Sequence, residues 1–216
     1  MRDRVFRTRV ILCVCGVVLS GIAVSFFKSA VFGVDPFQAL MSGLDALIPI
    51  QYGTLYVIVN AVLLLFSLVF DRTRIGLGTL INLFFLGYIV QFGVTIIAAA
   101  IPSPSLVVRI VYLAIGVLIA CIAASMYFTA DMGVSTYDAI ALIITGTWHR
   151  GKFKYVRVMT DFACVALGVA LFLMSGEKAS GLAAIVGIGT IISAFMMGPM
   201  IDWFNVHLFG PMISKK

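Results

Sequence analysis

"GIAVSFFKSAVFGVDPFQAL", residues 21–40, is answered one hundred positions later by "CIAASMYFTADMGVSTYDAI", residues 121–140. Ile22, Ala23, Ser25, Ala30, Gly33, Val34 and Ala39 meet identical residues at 122, 123, 125, 130, 133, 134 and 139, and upstream Gly16-Val17 meets Gly116-Val117. Each copy is an apolar run closed by a short polar turn. A shift of 101 then pairs Asn60 with Asp161, and a shift of 111 pairs "GTLINLFFLGYIVQF" (78–92) with "GTIISAFMMGPMIDW" (189–203), matching Gly78, Thr79, Ile81, Phe84 and Gly87. Apolar sequence produces chance matches. Three blocks in one order, with glycines and polar residues aligned, mark an internal repeat of residues 1–104 and 105–216.

Composition sets the solvent. Of 216 residues 62% are apolar and 11% charged, against roughly half and about a quarter in soluble domains. Apolar runs fall at about 10–27, 53–70, 77–100, 106–128, 155–175 and 182–204, each about as long as a helix needs to cross the ~30 Å hydrocarbon layer. The alternation of a membrane barrel strand is absent. The expected fold is an all-α polytopic membrane protein with six transmembrane helices, in contact with the lipid bilayer.

The net charge of +6 does not point to nucleic acid, because the basic residues cluster at the ends of apolar runs, where they set topology. With the N-terminus in the cytoplasm, Arg2, Arg4, Arg7, Arg9, Arg72, Arg74, Arg150, Lys152, Lys154, Arg157, Lys215 and Lys216 fall inside and Lys28, Arg109 and Lys178 outside. Both termini are therefore expected on the inner side of a cytoplasmic membrane. The first run follows "MRDRVFRTRV" but is long and lacks a small-residue cleavage site, so it reads as an uncleaved helix. Residues 36–50 and 138–150 are apolar yet short for a span, and read as re-entrant or interfacial helices after the first span of each repeat. Three spans per repeat is an odd number, so the second copy enters from the opposite side, the inverted arrangement recurrent in transporters.

These residues carry a resemblance. "GVDPFQALMSGL", "GTLYVIVN" and "FDRTRIGLGTLINLFFLGYIVQF", with Gly76, Gly78, Thr79, Asn82 and Gly87, together with "GVSTYDAIAL", "YVRVMTD" and "GIGTIISAFMMGPMID", resemble the bacterial YczE/YyaS/YitT group of small integral membrane proteins. Thr136 stands where the first copy has a proline, and Gln38 where the pattern carries an acid. The resemblance implies a transporter-like membrane protein and supplies no substrate.

Polar groups at membrane depth are costly and tend to face a protein interior or a wet cavity. The candidates for substrate binding or coupling are Asp35, Gln38, Asn60, Asn82, Gln91, Ser135, Thr136, Asp138, Arg157, Asp161 and Asp202. Arg157 and Asp161 share a helix face, either as a pair that breaks when the site opens or as an interfacial pair that lets Arg157 snorkel. Asp35 and Pro36 suit a helix start, as does Ser135 with Asp138 three residues on. Both turns are explained by capping alone, or by two short-helix N-termini aimed at one cavity. The charge of the ligand stays open at this point, since N-termini favour an anion and Asp138 a cation or proton. Gly33, Pro36, Gly133, Gly198 and Pro199 are the turn and hinge candidates. Other glycines read as helix packing.

The four cysteines lie within runs and read as small hydrophobes, and His149 and His207 have no ligand-spaced partners, so neither a metal nor a cofactor is expected. No catalytic constellation and no nucleotide-binding motif is present, so an enzyme is not expected. The leading reading is a small secondary transporter, or permease, of unknown substrate, working by alternating access around a central site. The alternative is a non-transporting membrane subunit that captures substrate or scaffolds a larger complex. Three plus three spans are few for a transporter, which leaves room for a homodimer.

Overall fold

The computed structural model describes residues 2–176, 178 and 181–214, all of them helix, turn or irregular chain without strand; Lys215 and Lys216 lie outside the described residues. Five helices are long and apolar enough to cross a membrane: α1 (Arg2–Ala30), α3 (Tyr52–Phe70), α4 (Leu77–Ala100), α5 (Leu106–Ala130) and α7 (Phe153–Met174). Between them stand two short helices, α2 (Pro36–Leu47) and α6 (Thr136–Leu142), the second continued by a wider π turn over Ile143–Thr147.

The sixth expected span is divided. The run 182–204 forms α8 (Leu182–Ile185) and α9 (Ile188–Phe204), the latter only 17 residues with Pro199 inside it. The break has a physical cause. The Ile185 carbonyl accepts from Val34 N (3.2 Å), and Gly189 N donates to the Phe32 carbonyl (2.7 Å), so the backbone of 185–189 serves a tertiary contact instead of a continuous helix ladder. A π turn (Asn205–Phe209) and α10 (Gly210–Ser214) close the described chain.

α1 and α5 form the central pair and run antiparallel. Arg9 pairs with Asp131 at one end (3.4 Å), and at the other Arg109 donates to the carbonyls of Ala30 (2.8 Å) and Val31 (2.9 Å). Between these ends small residues permit close approach. A Cβ on Gly16 would sit 3.1 Å from the Ala123 carbonyl, and one on Gly116 3.4 Å from that of Ala23.

Two backbone bridges flank this pair. At one end Gly78 N donates to the Met132 carbonyl (2.8 Å) and Val134 N to that of Arg74 (3.2 Å); at the other stand the Gly189–Phe32 and Val34–Ile185 bonds. Gly33 and Gly133 make both possible. They hold φ of +94° and +105°, the left-handed region open to glycine, and a Cβ would lie 2.4 Å from Gly187 N or 2.5 Å from Gly76 N. From Arg9 to Val31 α1 rises about 33 Å, at ~1.5 Å per residue. The two bridges therefore lie about a hydrocarbon thickness apart.

Each short helix packs on a long helix of the other sequence repeat, and runs parallel to it. α2 crosses α7 so closely that a Cβ on Gly43 would sit 2.2 Å from the Gly168 carbonyl. α6 follows α3, from the Thr136–Asn60 hydrogen bond to a Thr147–Asp71 bond of 2.8 Å. Outward faces carry exposed large apolar residues such as Val62, Leu65, Phe92, Val158 and Phe162, the surface a bilayer covers.

Candidate functional site

Both short helices begin as their sequences dictate. Asp35 is the N-cap of α2, its Oδ1 accepting from Gln38 N (3.1 Å), with Pro36 in the first turn. Ser135 caps α6: its Oγ accepts from Asp138 N (3.1 Å) and donates to Asp138 Oδ2 (2.7 Å). The two starts face each other, and Phe37 stacks on Tyr137 with ring centroids 5.0 Å apart.

Arg157, one turn into α7, projects into this meeting point. Its Nη1 bonds Asp138 Oδ1, its Nε lies 3.2 Å from Asp161 Oδ1, and its guanidinium lies 4.5 Å from the Tyr137 ring centre. Tyr137 Oη donates to the same Asp161 oxygen at 2.6 Å. One guanidinium thus holds two carboxylates from different helices, with 31% of its side chain exposed and 28% of each carboxylate's. Pairing of this kind is what permits charge away from water.

Two cavities meet at this cluster. The larger, about 420 Å³, is lined by α1, α5 and α9 residues together with Asp35, Gln38, Tyr56, Arg157 and Asp161. Ser20 and Ala120, from mid-helix on α1 and α5, form part of its wall. The smaller, about 170 Å³, is lined by Asp35, Tyr56, Asn60, Asn82, Ser135, Asp138 and Arg157, among others. Asp35, Tyr56 and Arg157 border both.

The remaining candidates separate. Thr136 donates to Asn60 Oδ1, while Asn60 Nδ2 bonds the Tyr56 carbonyl (2.8 Å); both side chains are 1% exposed. Tyr56 Oη donates to Asn82 Oδ1 (3.1 Å), and Gln38 Oε1 accepts from Tyr52 Oη. Gln91 lies away from the cavities and accepts from Gly53 N (2.9 Å), where α3 meets α4. Asp202 is exposed on α9 and lines neither cavity. Gly33 and Gly133 form the bridges; Gly198 and Pro199 lie within α9. Among the described residues no three His, Cys, Asp or Glu side chains come together as a metal set.

The sequence reading missed Tyr56 and Tyr137, which border or line the site. A signal existed for both: a shift of 101 places Tyr56 opposite Arg157, and a shift of 100 places Phe37 opposite Tyr137. Outside the spans, Asp71 forms a separate polar knot with Thr73, Arg74 and Thr147. The Thr73 and Thr147 hydroxyls pull its carboxyl down to about 2.

Helices long and apolar enough to span, packed around cavities that hold charged side chains, define a multi-pass membrane protein. The chain belongs to the family of unknown function DUF6198, whose profile matches residues 7–206. It is similar to the uncharacterized protein YyaS of Bacillus subtilis (strain 168), 23% identical over 200 residues covering 93% of this chain and 91% of that one. An uncharacterized protein of Haemophilus influenzae (strain ATCC 51907 / DSM 11121 / KW20 / Rd) is 26% identical over 133 residues, 62% of this chain and 54% of the relative. No solved structure matches.

Proposed function

We propose that the chain is a small secondary transporter of the bacterial inner membrane, in which two halves of opposite orientation alternately open one central site. Residues 1–104 and 105–216 are the halves, and the divided run 182–204 completes the sixth crossing. The observation that carries this reading is the pair of backbone bridges at opposite ends of α1 and α5, with the 420 Å³ cavity between them. Residues 32 and 34 are used in one bridge as 132 and 134 are in the other, and equivalent first helices run antiparallel. That is what a two-fold axis in the membrane plane produces. Each bridge consists of two backbone bonds and glycine contacts, joined in one by a bond from Thr79 Oγ1 to the Val134 carbonyl (2.6 Å). Net energies of about 1 kcal/mol per hydrogen bond let one open while the other stays closed.

The test needs no substrate. In a cysteine-free background, a short cross-link between cysteines at 32 and 186 locks one bridge, and a single cysteine at Val134 reports the other through an impermeant maleimide. Alternating access requires Val134 labelling to rise when the first bridge is locked, and the mirror experiment to give the mirror result. Labelling indifferent to the lock, with a second protein co-purifying in fixed ratio, assigns the chain instead to a substrate-capturing or scaffolding subunit.

A further inference from the structure

The larger cavity is unbalanced in charge. Among the described residues three carboxylates border the two joined cavities, Asp35, Asp138 and Asp161, and one basic residue lines them, Arg157, already shared between Asp138 and Asp161. Among the described residues no basic side chain pairs with Asp35, whose Oδ1 is used as a helix cap. Lys28, whose Nζ lies 3.6 Å from the Tyr52 ring centre, lines neither cavity and acts on Asp35 and Asp45 only by longer-range attraction. A carboxylate without a close ion-pair partner at membrane depth is costly, and three carboxylates face one lining guanidinium, so the site is complementary to a cation. A second group points into the same space. Gln38 is 4% exposed and lines the larger cavity; its carbonyl end is taken by Tyr52, while its Nε2 has no partner among the described residues. An amide donor that opens on the cavity with no protein partner favours an incoming oxygen.

The wall around these groups is largely apolar, with Val24, Phe27, Leu86 and Met197, and Tyr56 adds an aromatic face. A bare inorganic cation needs a tight shell of oxygens, which such a wall does not offer. An alkylated ammonium gains from aromatic faces and apolar contact, and about 420 Å³ falls within the ~300–1,000 Å³ of small-molecule pockets.

We propose that the larger cavity binds a small organic ammonium ion carrying an oxygen acceptor, with the Asp35 carboxylate opposite the ammonium and the Gln38 amide donating to the oxygen. This rests on reading the cavity as the substrate site. Tyr56 and Phe27 flank the alkyl groups, and Arg157 holds Asp138 and Asp161 in place.

The experiment measures dissociation constants for the full chain in detergent from ligand-dependent thermal unfolding. The probes are choline, which has ammonium and hydroxyl, tetramethylammonium, which has the charge alone, and acetate, which has the opposite charge. Choline is expected to bind about fivefold more tightly than tetramethylammonium, the worth of one hydrogen bond, and acetate not to bind. Asp35→Asn keeps a helix-capping oxygen, so the variant folds; it should weaken both ammonium ions by about tenfold or more. Gln38→Leu should make the two ammonium ions equal. Acetate binding as tightly as choline, Asp35→Asn binding like wild type, or no binding of either ammonium ion overturns the proposal. The cross-link experiment stands apart from these outcomes. Coupled bridges with no ammonium binding would sink the ligand class and leave the transporter, and ammonium binding with uncoupled bridges would do the reverse.

Discussion

The two sequence repeats share a frame and differ in chemistry. Gly33 and Gly133, Gly78 and Gly189, and Thr79 and Thr190 occupy matching places in the two bridges: the glycines because a Cβ would meet backbone, the threonines because each hydroxyl accepts from a glycine amide at its helix start, Gly76 N or Gly187 N, at 3.2 Å. Around the cavities the match ends. Gln38, Tyr56 and Asn60 of the first repeat stand where the second carries Asp138, Arg157 and Asp161. Neutral groups on one side bond neutral neighbours: the Gln38 carbonyl oxygen to Tyr52, Tyr56 to Asn82, Asn60 to Thr136. Charged groups on the other satisfy one another. The contacts that bridge the helix ends and the groups that line the cavities are thus written in different residues.

Substitutions can break this comparison at several strengths. The largest effect is expected at the crossing of α2 and α7. Gly43→Val should cost about 3 kcal/mol or prevent folding, since the new side chain meets backbone and not a yielding side chain. At the equivalent place in the second short helix stands Ile143, fully buried. There Ile143→Val should cost only about 1 kcal/mol, and denaturation midpoints compare the two.

Next comes the charged triad. Arg157→Leu leaves two carboxylates facing each other. It should cost about 2 kcal/mol, less than the ~3–5 of a fully enclosed pair because water reaches part of it. Tyr56→Phe, the matching position, removes one hydrogen bond and should cost about 1 kcal/mol. Equal losses would contradict the division into charged and neutral sides. Thr136→Val should fall close to the Tyr56 value or slightly above it, at about 1–2 kcal/mol, because Asn60 keeps an unpaired buried oxygen.

The smallest effect is outside the membrane. Asp71 is held below the usual carboxylate range, at about 2, so its bonds stabilise the fold fully above the unfolded value near ~4 and fade as pH falls toward 2. The difference in midpoint between wild type and Asp71→Asn should be small, flat from about pH 5 to 8, and shrinking below about pH 4.

Much of this was legible beforehand because it depends on local rules. The runs at 53–70, 77–100 and 106–128 are helices within two residues of their expected ends, since the bilayer demands continuous apolar helix. Asp35-Pro36 and Ser135 start helices because their side chains bond the first free amides. The split at Val186–Gly187 was not legible, since its cause is a loop more than 150 residues earlier that takes the backbone bonds. Arg157 and Asp161 were readable as a pair from their spacing of four. Asp138 as the third member was not, because it arrives from another helix. Asp202 and Gln91 carry the same intramembrane signal as Asp161 but face elsewhere, and polarity alone does not encode direction.

The most direct test of the two-bridge account is a pair of distance measurements by pulsed electron spin resonance, with labels at 32 and 186 across one bridge and at 132 and 75 across the other. In this structure both bridges are closed. Over a series of ligand and lipid conditions, the account expects a long-distance population to grow at one pair only as it vanishes at the other. Two distances that lengthen together, or that never change under any condition, would contradict it.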